Sequence, residues 1–202
     1  MLKATLGVKA YSRGYYKDIE KAERHSVTVI AEWISDNLKP LRAVDVGCGP
    51  GHLAAELSRK NIQVLGLDVS EAAIANLATK GLRGQKFDLT DRDSALPESP
   101  WDLVICMEVA EHLESSHADN FVRILSDGGN CVYLTAAEPS QTGGFGSLLH
   151  YNEQPNGYWI DRFTKRGFSF NSELTQVCRN YYSTRDVIEY LAKPMIFERK
   201  SA

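Results

Sequence analysis

Leu41-Arg42-Ala43-Val44-Asp45-Val46-Gly47-Cys48-Gly49-Pro50-Gly51 reads as a buried strand broken by a glycine-rich turn. The next residues, HLAAELSRK (52–60), carry a helical pattern. The glycines permit a tight turn and close approach of a ligand. The helix behind them aims its unpaired N–H groups at whatever sits over the turn. Working outward, the pattern repeats. IQVLGLDV (62–69) is a strand and SEAAIANLATK (70–80) a helix, with Ser70 as N-cap and Gly81 as the stop. RGQKFDL (83–89) is a weaker strand, TDRDSALPESP (90–100) a loop and WDLVICMEV (101–109) a strongly apolar strand. HADNFVRIL (117–125) is a helix ending at DGG, and NCVYLTAA (130–137) is another strand. Upstream, residues 17–38 have a loose helical period ended by Pro40. Downstream, FSFN (168–171) and PMIFERK (194–200) are strands on either side of a helix over 172–193. Strands alternating with helices mean βαβ units and a parallel sheet. The strands are continuously apolar, as expected when both faces are covered. In such a sheet the ligand lies beyond the carboxyl ends of the strands. The segments that matter are therefore 45–51, 68–70, 88–90, 106–112 and 135–151.

Composition sets the frame for this pattern. The 202 residues are 43% hydrophobic and 24% charged with a formal charge of −3, which excludes wholesale disorder and gives no global attraction to nucleic acid. One domain over 1–202 is expected, divided into an N-terminal segment (1–39), a core (40–136) and a second-half region (137–202). No apolar run reaches the roughly 18 residues of a membrane span. The opening MLKATLGVKA lacks the apolar stretch of a secretory signal, so a cytoplasmic location is expected. Cys48, Cys106, Cys131 and Cys178 match no zinc spacing and read as reduced, mostly buried thiols.

The glycine turn is not a dinucleotide fingerprint. His52 stands where G-x-G-x-x-G/A requires a small residue, which argues against a dehydrogenase. Asp45 would repel a pyrophosphate and attract a cation. A ligand with a carboxylate for the helix start and a positive centre for Asp45 satisfies both ends. S-adenosylmethionine carries a carboxylate, an ammonium and a sulfonium.

Asp-Val-Gly-Cys-Gly-Pro-Gly (45–51) after the first strand resembles motif I of the class I S-adenosylmethionine-dependent methyltransferases. Asp68 ends the second strand 23 residues after Asp45, Asp88 follows in FDL, and Asp102 opens the fourth-strand motif, in the family's order. The resemblance covers about residues 40–136. It implies a Rossmann-like, doubly wound α/β sheet of about seven mostly parallel strands with an N-terminal helical lid. It also implies that Asp45, Gly47, Cys48, Gly49, Gly51 and His52 line the donor, with Asp68 and Val69 at the ribose and Asp88 and Leu89 at the adenine. Met107 and Glu108 complete that set, with Tyr15 from the lid. Tyr11, Tyr15 and Tyr16 suit an amphipathic lid or an anchored terminus equally.

Met107-Glu108-Val109-Ala110-Glu111-His112 follows the fourth strand. On a helical turn Glu108, Glu111 and His112 share one face. Three readings stand side by side: a helix start with His112 packed on the cofactor, a divalent metal site, or His112 as a metal-free general base. The segment looks like E-x-x-E-H in ubiquinone-biosynthesis O-methyltransferases and small-RNA 2′-O-methyltransferases, where a metal is implied. His117 reads as a surface or cap residue. Residues 87–120 hold nine acids against Arg92 alone, which suits a cationic cofactor and repels phosphate backbones.

The fifth strand leads into the long Gly-rich stretch 138–159, a length usually functional. His150, Asn152, Glu153, Gln154, Pro155, Tyr158 and Trp159 match the family's H-x-N-E-Q-P-x-x-Y-W pattern, but FGSLL (145–149) is extra. His150 is either a proton acceptor, a fourth metal ligand with Glu108, Glu111 and His112, or a histidine bonded to loop backbone. Tyr158 and Trp159 read as packing before substrate stacking. Arg179, Tyr181, Tyr182 and Arg185 read as a solvated basic-aromatic face. The expected activity is methyl transfer from S-adenosylmethionine to a small-molecule hydroxyl, with His150, His112 and Glu111 as catalytic residues. A metal-dependent RNA-terminal 2′-O-methyltransferase and a non-catalytic donor-binding module remain alternatives. Neither oligomeric state nor substrate is legible.

Overall fold

A computed structural model describes residues 13–139 and 150–200, with side chains from residue 23 onward. The chain folds as two compact units that divide between Asp88 and Leu89. In the first, α1 (Arg13–Trp33) runs into a π-helical turn (Ile34–Leu38). The turn closes where Lys39 takes a left-handed φ of 50° and donates its N–H to Ile34 O. Pro40 then prevents any further helix. Val27, Val29, Ile30, Ala31 and Trp33 are buried, and α1 packs on α2 (His52–Arg59). Of the three tyrosines read as a lid, Tyr11 lies outside the described residues. Tyr15 and Tyr16 lie in α1, but their side chains are also outside them.

Strands β1 (Arg42–Val46), β2 (Gln63–Asp68) and β3 (Arg83–Lys86) are parallel, with Asp45 opposite Gly66 and Asp68 opposite Lys86. Helix α3 (Glu71–Thr79) crosses between β2 and β3. The strand expected over 83–89 stops at Lys86, and all four of its residues are exposed. Arg83, Gly84, Gln85 and Lys86 offer no apolar face, which suits a strand at a sheet edge.

The second unit holds β4 (Leu103–Met107) and β5 (Cys131–Thr135) in parallel, with α4 (Ala118–Gly128) between them. Helix α5 (Asn156–Lys165), β6 (Phe168–Phe170), α6 (Ser172–Ser183) and β7 (Met195–Arg199) follow. β7 is antiparallel to both β5 and β6. Phe163 of α5 stacks on Phe197 of β7 at 4.3 Å. The helix expected over 172–193 begins at an Asn171 cap, whose side chain accepts from Leu174 N, and ends at Ser183. There Ser183 Oγ, Thr184 Oγ1 and the Arg185 guanidinium donate to the carbonyls of Asn180 and Tyr181, and Asp186 turns to φ 52°. Side chains that capture the last carbonyls end a helix that apolar periodicity alone would extend.

The sheet order is β3-β2-β1-β4-β5-β7-β6. The expected α/β sheet of seven mostly parallel strands is thus observed. No described helix is long and apolar enough to cross a membrane.

Candidate functional site

In the first unit the glycine turn is stitched to the end of β2. Gly47 N and Cys48 N both donate to Leu67 O (2.7 and 3.0 Å), and Gly51 N donates to Cys48 O at 2.9 Å. Gly49 N donates to Asp68 Oδ2 at 2.9 Å, and Ser70 N to Asp68 Oδ1 at 2.8 Å. Lys80 Nζ reaches Pro50 O. The turn's own N–H groups therefore face the protein. The next backbone donors along the chain belong to the first turn of α2. Ser70 caps α3 only by position; Asp68 is what binds its N–H.

Glycine is required here by conformation and by space. Gly47, Gly49 and Gly51 sit at φ 77°, 51° and 73°. A Cβ on Gly51 would lie 2.3 Å from Leu77 Cδ2, and one on Gly66 2.6 Å from Leu77 Cδ1. Leu77 of α3 fills the space these two glycines leave open.

Two carboxylates lie beneath this turn. Asp45 is 4% exposed and Asp68 9%. Burial, and then the neighbouring Asp68 charge, push Asp45 up from 3.8 to about 7. Burial also raises Asp68, against the opposing pull of the Ser70 and Gly49 N–H bonds. Two adjacent buried acids favour a cation beside them. Cys48 is a packing thiol, raised well above its ordinary value by burial. His52 and Val69 are half-buried, and Asp88 is exposed at the unit's end.

In the second unit Leu89 is buried, and its carbonyl accepts from Asn120 Nδ2 at 3.0 Å. Met107 ends β4 half-buried. Glu108 then takes a left-handed φ of 53°, its N–H shared between Thr135 O and Thr135 Oγ1, each at 3.2 Å. A 3₁₀ turn, Ala110–His112, follows. The single helical face expected for Glu108, Glu111 and His112 is broken by this kink. Ligand atoms of Glu111, His112 and His150 lie within 4.8 Å of one another, and Glu108 is not in that group.

The grouping has a backbone cause. Glu111 O accepts from Tyr151 N (2.8 Å) and Asn152 N (3.1 Å), which laces the 150–154 segment to the 3₁₀ turn. Gln154 Nε2 holds Asn152 Oδ1 at 2.9 Å. The His112 and His150 rings then meet edge to face, 5.0 Å apart at 73°. His150 Nδ1 lies 2.7 Å from Glu153 Oε1. Glu111 is completely buried, and neither carboxylate oxygen has a hydrogen-bond partner. A buried carboxylate left so is costly unless a cation or proton meets it.

The other singled-out residues serve packing. The Arg162 guanidinium covers the Tyr158 ring at 3.6 Å, and Trp159 packs edge-on against Tyr158 and Phe121. Tyr182, read as part of a solvated face, is instead buried, with its hydroxyl 3.0 Å from that of Tyr133. Arg185 covers Tyr181, and Arg179 binds Pro194 O. His117 occupies the N-cap position of α4. All four cysteines are free thiols, three of them buried.

A family model described as a methyltransferase domain matches residues 18–193. The chain belongs to the methyltransferase-domain family. The ubiquinone biosynthesis O-methyltransferase of Bradyrhizobium sp. (strain ORS 278) is 34% identical over 103 residues, 48% of this chain and 41% of that protein. The chain spans less than half the length of the curated relatives it matches. Two solved structures share the fold. Magnesium protoporphyrin IX methyltransferase from Synechocystis PCC 6803, with bound SAM, is 19% identical with a TM-score of 0.66, covering 91% of this chain and 83% of its own. A TehB-like SAM-dependent methyltransferase from Corynebacterium glutamicum ATCC 13032 is 15% identical with a TM-score of 0.65, covering 97% and 100%.

Proposed function

We propose that residues 1–202 act as one S-adenosylmethionine-dependent methyltransferase domain that O-methylates a small-molecule hydroxyl, with a divalent metal at Glu111, His112 and His150. The observation that carries this reading is Glu111, a wholly buried carboxylate with two unpartnered oxygens beside two imidazoles. One oxygen donor group with two imidazoles suits a divalent first-row ion such as Mn²⁺ better than Ca²⁺ or Mg²⁺, which prefer all-oxygen sets. Bound there, the ion would supply Lewis acidity that makes the acceptor hydroxyl easier to deprotonate.

The remaining roles belong to the chain. Asp45 would meet the donor's ammonium, and Asp68 its ribose hydroxyls while still anchoring Gly49 and Ser70. The first turn of α2 would hold the donor's carboxylate. The methyl group passes from sulfonium to hydroxyl oxygen, the sulfur keeps the C–S electron pair, and the hydroxyl proton leaves to a base or solvent. The similarity to ubiquinone biosynthesis O-methyltransferases supports O-methylation. Exposed Asp91, Asp93, Glu98, Asp102, Glu114 and Asp119 support a small acceptor over a nucleic acid. Four free thiols support a cytoplasmic setting.

A second reading has an observation of its own. His150, backed by Glu153 at 2.7 Å, is arranged as a metal-free base. Release of S-adenosylhomocysteine over a panel of hydroxylated small molecules separates the two. Chelation should abolish turnover, and added Mn²⁺ should restore it. Full turnover in excess chelator removes the metal and leaves the His150–Glu153 pair.

A further inference from the structure

We propose that Glu153 is a positioning residue that accepts the Nδ1 proton of His150 and so presents the Nε2 lone pair to Glu111 and His112. This deepens the metal reading above and rests on it for its purpose, though not for its geometry. Three observations converge. His150 Nδ1 and Glu153 Oε1 are 2.7 Å apart, and both side chains are mostly shielded, 14% and 27% exposed. A carboxylate at that distance accepts a proton from Nδ1, which leaves Nε2 as the nitrogen with a free lone pair. The ring is also fixed from its other side, because His112 packs edge-on against it at 5.0 Å. Finally, the backbone that carries both residues is clamped. Tyr151 N and Asn152 N donate to Glu111 O, and Gln154 holds the Asn152 side chain. The backbone that carries Glu153 is thus held beside the lacing that places His150 near Glu111, and the carboxylate itself meets His150 Nδ1.

The arrangement matches what an imidazole ligand needs. Free histidine favours the tautomer with its proton on Nε2, which would point a donor at the site. A carboxylate behind Nδ1 reverses that preference and sets the ring plane. The same preparation would serve His150 as a base, so the proposal does not fall if the metal does.

The test uses the full chain. Long-range ¹H–¹⁵N spectra in chelator, followed upward in pH until the ring signals stop moving, report which nitrogen of His150 is protonated; its signal is assigned by its loss in His150→Gln. Free Mn²⁺ counted by electron paramagnetic resonance gives metal affinity separately. Wild type should carry the proton on Nδ1. Glu153→Ala should move most of it to Nε2 and weaken Mn²⁺ binding about 10- to 100-fold. Glu153→Gln, whose amide oxygen still accepts from Nδ1, should keep the tautomer and lose affinity only several-fold. A tautomer shift in Glu153→Ala with no Mn²⁺ bound by either protein supports the positioning role and overturns the metal instead. An Nε2–H tautomer in wild type overturns the proposal. So does a folded Glu153→Ala protein with unchanged tautomer and affinity. If Glu153→Ala fails to fold, wild type and Glu153→Gln decide by the same spectra.

Discussion

Donor binding should release a proton from the Asp45 site, and the structure sets how much. Asp45 lies 4% exposed beneath the glycine turn, and burial with the nearby Asp68 charge moves its pKa from 3.8 to about 7. At pH 6 a group of that pKa is roughly 90% protonated. A donor whose ammonium meets the carboxylate favours the charged form and pulls the pKa back down. Binding at pH 6 should then release about 0.9 proton, and affinity should fall about tenfold per pH unit below 7. Calorimetry of S-adenosylhomocysteine in two buffers of different ionisation enthalpy measures the proton directly. Asp45→Asn should weaken binding about 10- to 100-fold, as a charge-assisted bond becomes a neutral one. It should also abolish the pH slope. Zero proton release at pH 6 in wild type, with affinity flat from pH 5.5 to 7, would refute the pairing of Asp45 with the ammonium.

The ligand-free protein should show the same group with the opposite consequence. A carboxyl whose folded pKa lies above its unfolded value holds its proton more tightly in the folded state. Its contribution is therefore most favourable below about pH 4. It declines as pH rises to about 7, by ~4 kcal/mol if the whole shift is realised, and is flat beyond. Asp45→Asn, which never ionises, should melt higher than wild type at pH 8 without donor and lose that advantage when wild type is saturated with donor.

Three further outcomes are expected. Asp68→Ala strands the N–H groups of Gly49 and Ser70 as well as removing the ribose acceptor. Its loss of donor affinity should exceed 100-fold and come with ~2 kcal/mol of lost stability in denaturant titration. Gly51→Ala places a Cβ 2.3 Å from Leu77 at φ 73°, so unfolding should show a loss of about 2–4 kcal/mol. Leu77→Ala in the same chain should recover the steric part and leave the backbone part. Glu111→Gln should abolish Mn²⁺ binding, because a neutral amide is a far weaker ligand than a carboxylate beside two imidazoles; a folded Glu111→Gln protein that still binds Mn²⁺ like wild type would remove Glu111 from the metal group.

What the sequence could convey follows from which groups do the work. The strands were legible because β1, β2, β4 and β5 are buried along nearly their whole length, which writes itself as unbroken apolar runs. The glycine turn was legible because three positive φ angles and the Leu77 side chain leave few alternatives to glycine. The failures share a cause. The end of α6 at Ser183 is set by side chains that bind backbone carbonyls, and the same residues suit a continuing helix face equally well. The kink at Glu108 is set by Thr135, 27 residues away in sequence, which captures its N–H. A distant acceptor leaves no local pattern, so the helical face drawn through Glu108, Glu111 and His112 missed that Glu108 turns aside.

The metal group itself shows the same division between side-chain identity and backbone wiring. Glu111, His112 and His150 could each be named from residue type and from the strand ends they follow. Nothing in their identities says that Tyr151 N and Asn152 N bind Glu111 O, yet those two bonds bring His150 to the 3₁₀ turn. Backbone donors are the same in every residue except proline, so sequence can nominate the chemistry but is silent on the clamp. Glu153 sits between these cases. Its three-residue spacing from His150 was in plain view, and a carboxylate so close to an imidazole is a usable sign of a partner. It became decisive only once the clamp fixed the segment, with Nδ1 at 2.7 Å from the carboxylate.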